Sequence, residues 1–145
     1  MPQPRSGPRE RAVRQADDER LAEEIERAGD IEAVARRWAA ETPILAGQPP
    51  DVAALAHAER LRNTPSGLAR ALRGLGTGAL PPLWARLVEL TMPVALVVGA
   101  RDAKFRAIAI DMATRIASAE IVVAAGAGHA VHLEAPEVVA AAVAG

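Results

Sequence analysis

Cysteine is absent from the 145 residues, so neither a disulfide nor a thiolate metal site can form. Tyrosine is absent as well, and Trp38, Trp84 and Phe105 are the only aromatic residues. With 50 % of the residues hydrophobic, Ala, Val and Leu must therefore fill the core through many small contacts. An excess of one charge is also missing. The 17 Lys and Arg against 18 Asp and Glu leave a net charge of −1, which gives no electrostatic case for nucleic acid or an anionic membrane as partner. No apolar run approaches the roughly 20 residues that a membrane-spanning helix needs. The start, Met1-Pro2-Gln3-Pro4-Arg5, lacks the apolar stretch of a secretory signal. These absences lead to the expectation of a soluble, cytoplasmic chain. Its hydrophobic content excludes a disordered one, and its length suits one domain with a core.

What is present changes character near residue 90. Residues 1–10 are rich in Pro, Arg and Gly and are expected to be flexible. From about Arg11 to Ala28 the residues Leu21, Ile25 and Ala28 share one helical face. Gly29 ends that helix, and Asp30 can cap the next, whose stripe is Ile31, Val34 and Trp38. Asp51 reads as the N-cap of a third helix carrying Val52, Leu55 and Leu61. Thr64-Pro65 opens a fourth, with Leu68, Leu72 and Leu75 as its buried stripe. Pro81–Leu90 reads as a short helix or turn holding Trp84 and Leu87.

After Thr91-Met92-Pro93, Val94–Val98 is an apolar run without alternation, which suits a strand buried on both faces of a parallel sheet. Phe105, Ile108, Ala109, Met112 and Ile116 then follow helical spacing. Glu120–Ala124 is a second such strand, and Pro136–Ala144 a last helix. The order β–α–β–α is one crossover unit with a trailing helix. Two parallel strands make a poor sheet, so this part reads as the edge of a larger one.

An acid follows the first strand and a histidine follows the second: Asp102 after Gly99-Ala100-Arg101, and His129 after Gly126-Ala127-Gly128. Asp102 alone could be an ordinary N-cap for the Phe105 helix, and His129 alone a solvent-facing turn residue. Together they occupy the carboxyl ends of adjacent parallel strands, where open α/β sheets place their sites. There, Asp102 would set the tautomer of His129, and His129 would be the general base. A serine on a G-x-S-x-G turn should precede them, and none occurs in these residues. Ser66 and Ser118 are not substitutes, since neither sits on a strand-to-helix elbow. The chain therefore reads as the back half of a catalytic domain.

The runs Gly99-Ala100-Arg101-Asp102-Ala103-Lys104-Phe105 and Gly128-His129-Ala130-Val131-His132-Leu133-Glu134-Ala135-Pro136 closely resemble the C-terminal motifs of α/β-hydrolase-fold proteins. Within that superfamily they are most similar to the 2-succinyl-6-hydroxy-2,4-cyclohexadiene-1-carboxylate synthases of menaquinone biosynthesis. Arg14 with Asp17-Asp18, Trp38, Leu61-Arg62-Asn63, Leu72-Arg73 and Gly76-Thr77-Gly78 resemble the lid of that enzyme. The resemblance implies the C-terminal portion of an α/β-hydrolase fold: a helical lid over 11–90, then the last two parallel strands with flanking helices over 91–145. It also implies a lyase that removes pyruvate from a carboxylated small molecule, with no cofactor and no metal. Asp102 and His129 would be catalytic, and Arg14, Trp38 and Arg62 would hold substrate carboxylates. The bland alternatives are solvated helix arginines and a core tryptophan. His132 reads as a helix-start histidine rather than a metal ligand, and His57 as an ordinary surface residue. A separately encoded N-terminal half is a partner this reading allows. The same residues also fit an esterase or C–C bond hydrolase of this fold, or a non-catalytic remnant or interaction piece.

Overall fold

A computed structural model describes residues 7–144. Four helices come first: α1 (Pro8–Ala28), α2 (Ile31–Glu41), α3 (Pro50–Leu61) and α4 (Pro65–Leu75). They are followed by β1 (Val94–Gly99), α5 (Ala103–Ala113), β2 (Ala119–Ala124), α6 (Val131–Glu134) and α7 (Pro136–Ala144). Short 3₁₀ turns occupy Pro43–Leu45 and Trp84–Glu89.

The described residues form two compact units, 7–41 with 54–82, and 42–53 with 83–144. The division differs from the expected break at residue 90, because 42–53 and 83–90 group with the strands. Part of the segment 1–10, expected to be flexible, is helical. Pro8, Arg9 and Glu10 already belong to α1, where a first-turn proline has no N–H to leave unpaired. The Gly7 N–H donates to the Glu10 carboxylate at 3.0 Å. Residues 1–6 lie outside the described residues. Asp51 is not an N-cap, since Pro50 already opens α3 ahead of it.

In the helical unit α1 packs against α4 and α2. Ala22 and Ile25 of α1, Val34 and Ala35 of α2 and Ala69 of α4 are buried there. Thr64 caps α4 as its sequence predicts, its Oγ1 accepting the Gly67 N–H at 3.1 Å. Asp30 accepts the Glu32 N–H at 2.9 Å in the same way. The leucine stripe of α4 behaves differently from expectation. Leu75 is 68 % exposed and Leu68 and Leu72 are half-buried. These leucines line a hollow of about 280 Å³ together with Trp38, Ile31 and Val34. Alanine, valine and isoleucine supply the buried hydrophobic side chains, and leucine supplies none among the described residues.

Arg73 of α4 ties itself to α1 twice, donating to Glu19 at 2.9 Å and to Glu26 through two bonds of 2.9 Å. The Arg73 hydrogen bond holds the Glu26 carboxyl below its ordinary value of 4.5. A carboxyl lowered in the folded state contributes stability above its unfolded value and loses it as pH falls through the lowered one. The expected result is a melting temperature that drops as pH is taken below 4.5, with a shallower drop in Arg73→Ala, read by circular dichroism.

In the second unit β1 and β2 pair in parallel, from Val94 opposite Ala119 to Gly99 opposite Ala124. Helix α5 packs against both strands, and α6 and α7 pack against β1. Ala124, Ala127, Val131 and Ala135 form a small core, with Val97, Val138 and Val139 packed on it. The strands are less covered than their apolar runs predict. Ala95 and Val123 are exposed, because a two-stranded sheet with one crossover helix has little to lay over its faces. Ile116 is buried as expected, though α5 ends at Ala113 and Ile116 lies in the turn beyond it.

Candidate acid–base site

The site is built where β1 and β2 end side by side. The parallel register sets Gly99 beside Ala124, so the loops that follow leave the sheet at one level. Two backbone bonds then tie the loops together. Ala100 N–H donates to Ala124 O at 2.9 Å, and Arg101 N–H to Ala127 O at 2.9 Å. This close approach requires glycine at position 99. A Cβ there would meet the carbonyl oxygens of Gly128 and Ala127. Gly126 turns the second loop with φ +70°, a left-handed conformation that side chains disfavour.

Asp102 and His129 come together at this point. Asp102 Oδ2 lies 2.7 Å from His129 Nδ1, while Asp102 Oδ1 accepts the Phe105 N–H at 3.0 Å. One carboxylate therefore both caps α5 and meets the histidine. Asp102 is buried, so its bond to the imidazole is poorly screened by water. The His129 side chain remains 31 % exposed, and its ring packs on Phe105 at a centroid distance of 4.6 Å. An acceptor carboxylate at Nδ1 favours the tautomer with hydrogen on Nδ1, which leaves the Nε2 lone pair free to take a proton.

Glu134 and Arg101 complete the arrangement, and neither was assigned a task from sequence. Glu134 Oε2 accepts the Gly128 N–H at 2.8 Å and Arg101 Nη2 at 2.7 Å. Arg101 Nη1 reaches Gly47 O at 2.9 Å. The glutamate stood in the Gly-His motif of the sequence, but nothing local says where its carboxylate points.

Arg14, Trp38 and Arg62 belong to the helical unit. Arg14 Nε pairs with the buried Asp18 at 3.0 Å, and Arg62 pairs with Glu59 at 3.1 Å. Trp38 is 38 % exposed and lines the 280 Å³ hollow, so it is not a core residue. Arg60 and Asn63, rather than Arg62, share that hollow with it. His57 is more than a surface residue, since its Nε2 lies 3.2 Å from Glu32 Oε1 and links α3 to α2. Ser118 is a turn residue whose Oγ donates to Met92 O, and Ser66 sits in the first turn of α4. His132 is exposed on α6, and among the described residues no three potential metal ligands gather.

The sequence profile of the alpha/beta hydrolase family matches residues 2–142. The chain belongs to the alpha/beta hydrolase family. Its two parallel strands with flanking helices are the part of that fold seen here. Over 131 residues it is 39 % identical to a candidate 2-succinyl-6-hydroxy-2,4-cyclohexadiene-1-carboxylate synthase of Bacillus subtilis (strain 168), covering 88 % of this chain and 46 % of that protein. Over 95 residues it is 32 % identical to the chloroplastic protein PHYLLO of Arabidopsis thaliana, covering 60 % of this chain and 6 % of that one. The structure of MenH from S. aureus superimposes with a TM-score of 0.88 at 28 % identity, covering 95 % of this chain and 52 % of that one. A malate-bound thermophilic esterase from Thermogutta terrifontis follows with a TM-score of 0.70 at 26 % identity, covering 91 % of this chain and 48 % of that one. The chain thus spans about half the length of the Bacillus protein. Among the described residues no helix is long and apolar enough to cross a membrane.

Proposed function

We propose that this chain carries the lid and the acid–base half of a cytoplasmic α/β-hydrolase-fold lyase that eliminates pyruvate from a carboxylated cyclohexene. The observation that carries the reading is the 2.7 Å contact between Asp102 Oδ2 and His129 Nδ1 at the ends of paired parallel strands. The likeness to the Bacillus synthase supports the substrate class. In this reading Asp102 holds the imidazole in one tautomer and stabilises its cation, and His129 Nε2 takes up the proton as general base. The serine it serves comes from residues outside these 145, on the same polypeptide or a separately encoded one. The helical unit is the lid. Arg14 and Arg62 offer bidentate forks to substrate carboxylates, and Trp38 serves in the same role.

Ester hydrolysis is the second reading, favoured by the likeness to the Thermogutta esterase and by the apolar hollow around Trp38. One assay separates the two. The chain is combined with a polypeptide supplying the G-x-S-x-G half of the fold. Pyruvate release from the carboxylated cyclohexene and hydrolysis of p-nitrophenyl esters are then followed in parallel. Pyruvate release by the combined halves, with none from the chain alone, is expected. Ester hydrolysis without pyruvate release would replace the first reading by the second. Turnover by the chain alone, abolished by His129→Ala, would overturn the requirement for an outside serine.

A further inference from the structure

We infer that Glu134 is a positioning residue for the Asp102–His129 pair, acting through the loops on which they sit. Three observations converge on it. First, its side chain is 3 % exposed, so the carboxylate sits in the protein interior rather than at a solvated rim. Second, its Oε2 accepts from Gly128 N at 2.8 Å and from Arg101 Nη2 at 2.7 Å. Gly128 is the residue before His129, and Arg101 is the residue before Asp102. One carboxylate oxygen therefore joins the two loops immediately behind the two side chains that must meet. Third, Glu134 Oε1 is buried with no hydrogen-bond partner among the described residues.

The third observation weighs against a purely stabilising role. A buried carboxylate carries a desolvation cost, and a partner half open to solvent recovers only part of it. An apolar side chain of similar size would serve stability as well or better. What an apolar side chain cannot do is accept the Gly128 N–H and fix the Arg101 fork together. Arg101 extends the same brace by donating through Nη1 to Gly47 O at 2.9 Å. The Arg101 N–H holds the histidine loop as far as Ala127 O, and the Glu134 carboxylate carries the restraint one residue further, to the Gly128 N–H that precedes His129. Glu134 supplies that constraint from α6, an element that also packs on β1.

The inference rests on the reading of Asp102 and His129 as an acid–base pair, and its test separates the two. The full chain, labelled with ¹⁵N in histidine, is followed by NMR at the Nδ1 proton of His129 and at both ring nitrogens. In the wild-type chain a downfield Nδ1–H resonance and a single tautomer are expected. In Glu134→Ala that proton is expected to exchange with solvent about tenfold faster, the loss expected for one charge-assisted hydrogen bond. The ring nitrogens then report a mixture of tautomers while the methyl spectrum stays folded. Glu134→Gln, which keeps an acceptor for Gly128 N–H, is expected to restore most of the wild-type pattern. Should Glu134→Ala fail to fold, Arg101→Ala removes the brace from its exposed side, and faster exchange is expected there too. Unchanged His129 signals in a folded Glu134→Ala, or in Arg101→Ala in its place, would overturn the role of Glu134 alone. A wild-type chain without the Nδ1–H resonance would remove the pair itself, and the inference with it.

Discussion

Under the proposed function, Asp102→Asn is expected to lower kcat of the chain combined with a G-x-S-x-G half by about 10⁴-fold, the scale on which a triad acid matters for tautomer choice. The structure says why the amide cannot simply turn to suit. Oδ1 accepts the Phe105 N–H and Oδ2 meets His129 Nδ1. An asparagine keeps its carbonyl oxygen on Phe105, because the alternative puts two N–H groups against each other. Its NH₂ then faces Nδ1 and donates to it. The imidazole must carry its hydrogen on Nε2, and the lone pair needed for proton uptake is gone. Folding should change little, since the helix cap survives. Asp102→Ala removes both bonds, and its loss of the α5 cap should cost a further stability of about 1 kcal/mol. Steady-state kinetics together with thermal melts of both variants check the pair of outcomes. A kcat for Asp102→Asn within tenfold of wild type would mean that His129 is oriented by something else.

Gly99→Ala is expected to be among the most destabilising single changes in the strand unit, by about 3 kcal/mol, because small-to-large changes against rigid neighbours cost on this scale. The new methyl would meet the carbonyl oxygens of Gly128 and Ala127, which are backbone atoms with no rotamer to change. The histidine loop would have to lift, breaking the 2.9 Å bond from Arg101 N–H to Ala127 O. Gly126→Ala is the useful contrast. It has φ +70° but open space where a Cβ would go, so only the left-handed backbone penalty of about 1 kcal/mol applies. Denaturant midpoints for the two variants measure the difference. Equal midpoints would mean that the loop adapts to Gly99→Ala without cost.

The legible parts of the sequence were those whose chemistry is local. Thr64 before Pro65, Asp30 two residues before Glu32 and Gly29 after Ala28 each act within one turn, and each appears where its spacing predicts it. Asp102 and His129 were legible for a different reason. Each follows an apolar strand run, and parallel pairing carries such loops to one edge of the sheet. What the sequence left unread depends on partners far along the chain. Arg101 meets Glu134 across 33 positions, and His57 meets Glu32 across 25. Leu75 illustrates another limit. Helical periodicity places it on the apolar face of α4, but periodicity does not say whether that face meets a core or borders a hollow. Arg60 and Arg62 show the same problem at finer scale. Arg60 lies in the last turn of α3 and Arg62 in the turn just beyond Leu61, a boundary that spacing alone does not fix, and it is Arg60 that shares the hollow with Trp38.

The double duty of Asp102 gives the molecule an internal gauge. One carboxylate anchors the first turn of α5 with one oxygen and the imidazole with the other. A rotation of that carboxylate large enough to release His129 must also disturb the Phe105 amide. The amide can be watched without labelling the site or supplying a substrate. Its protection against deuterium should rise and fall with the order of the imidazole. An inhibitor or a completing polypeptide that tightens the pair would register there first, in a signal belonging to the scaffold rather than to the chemistry.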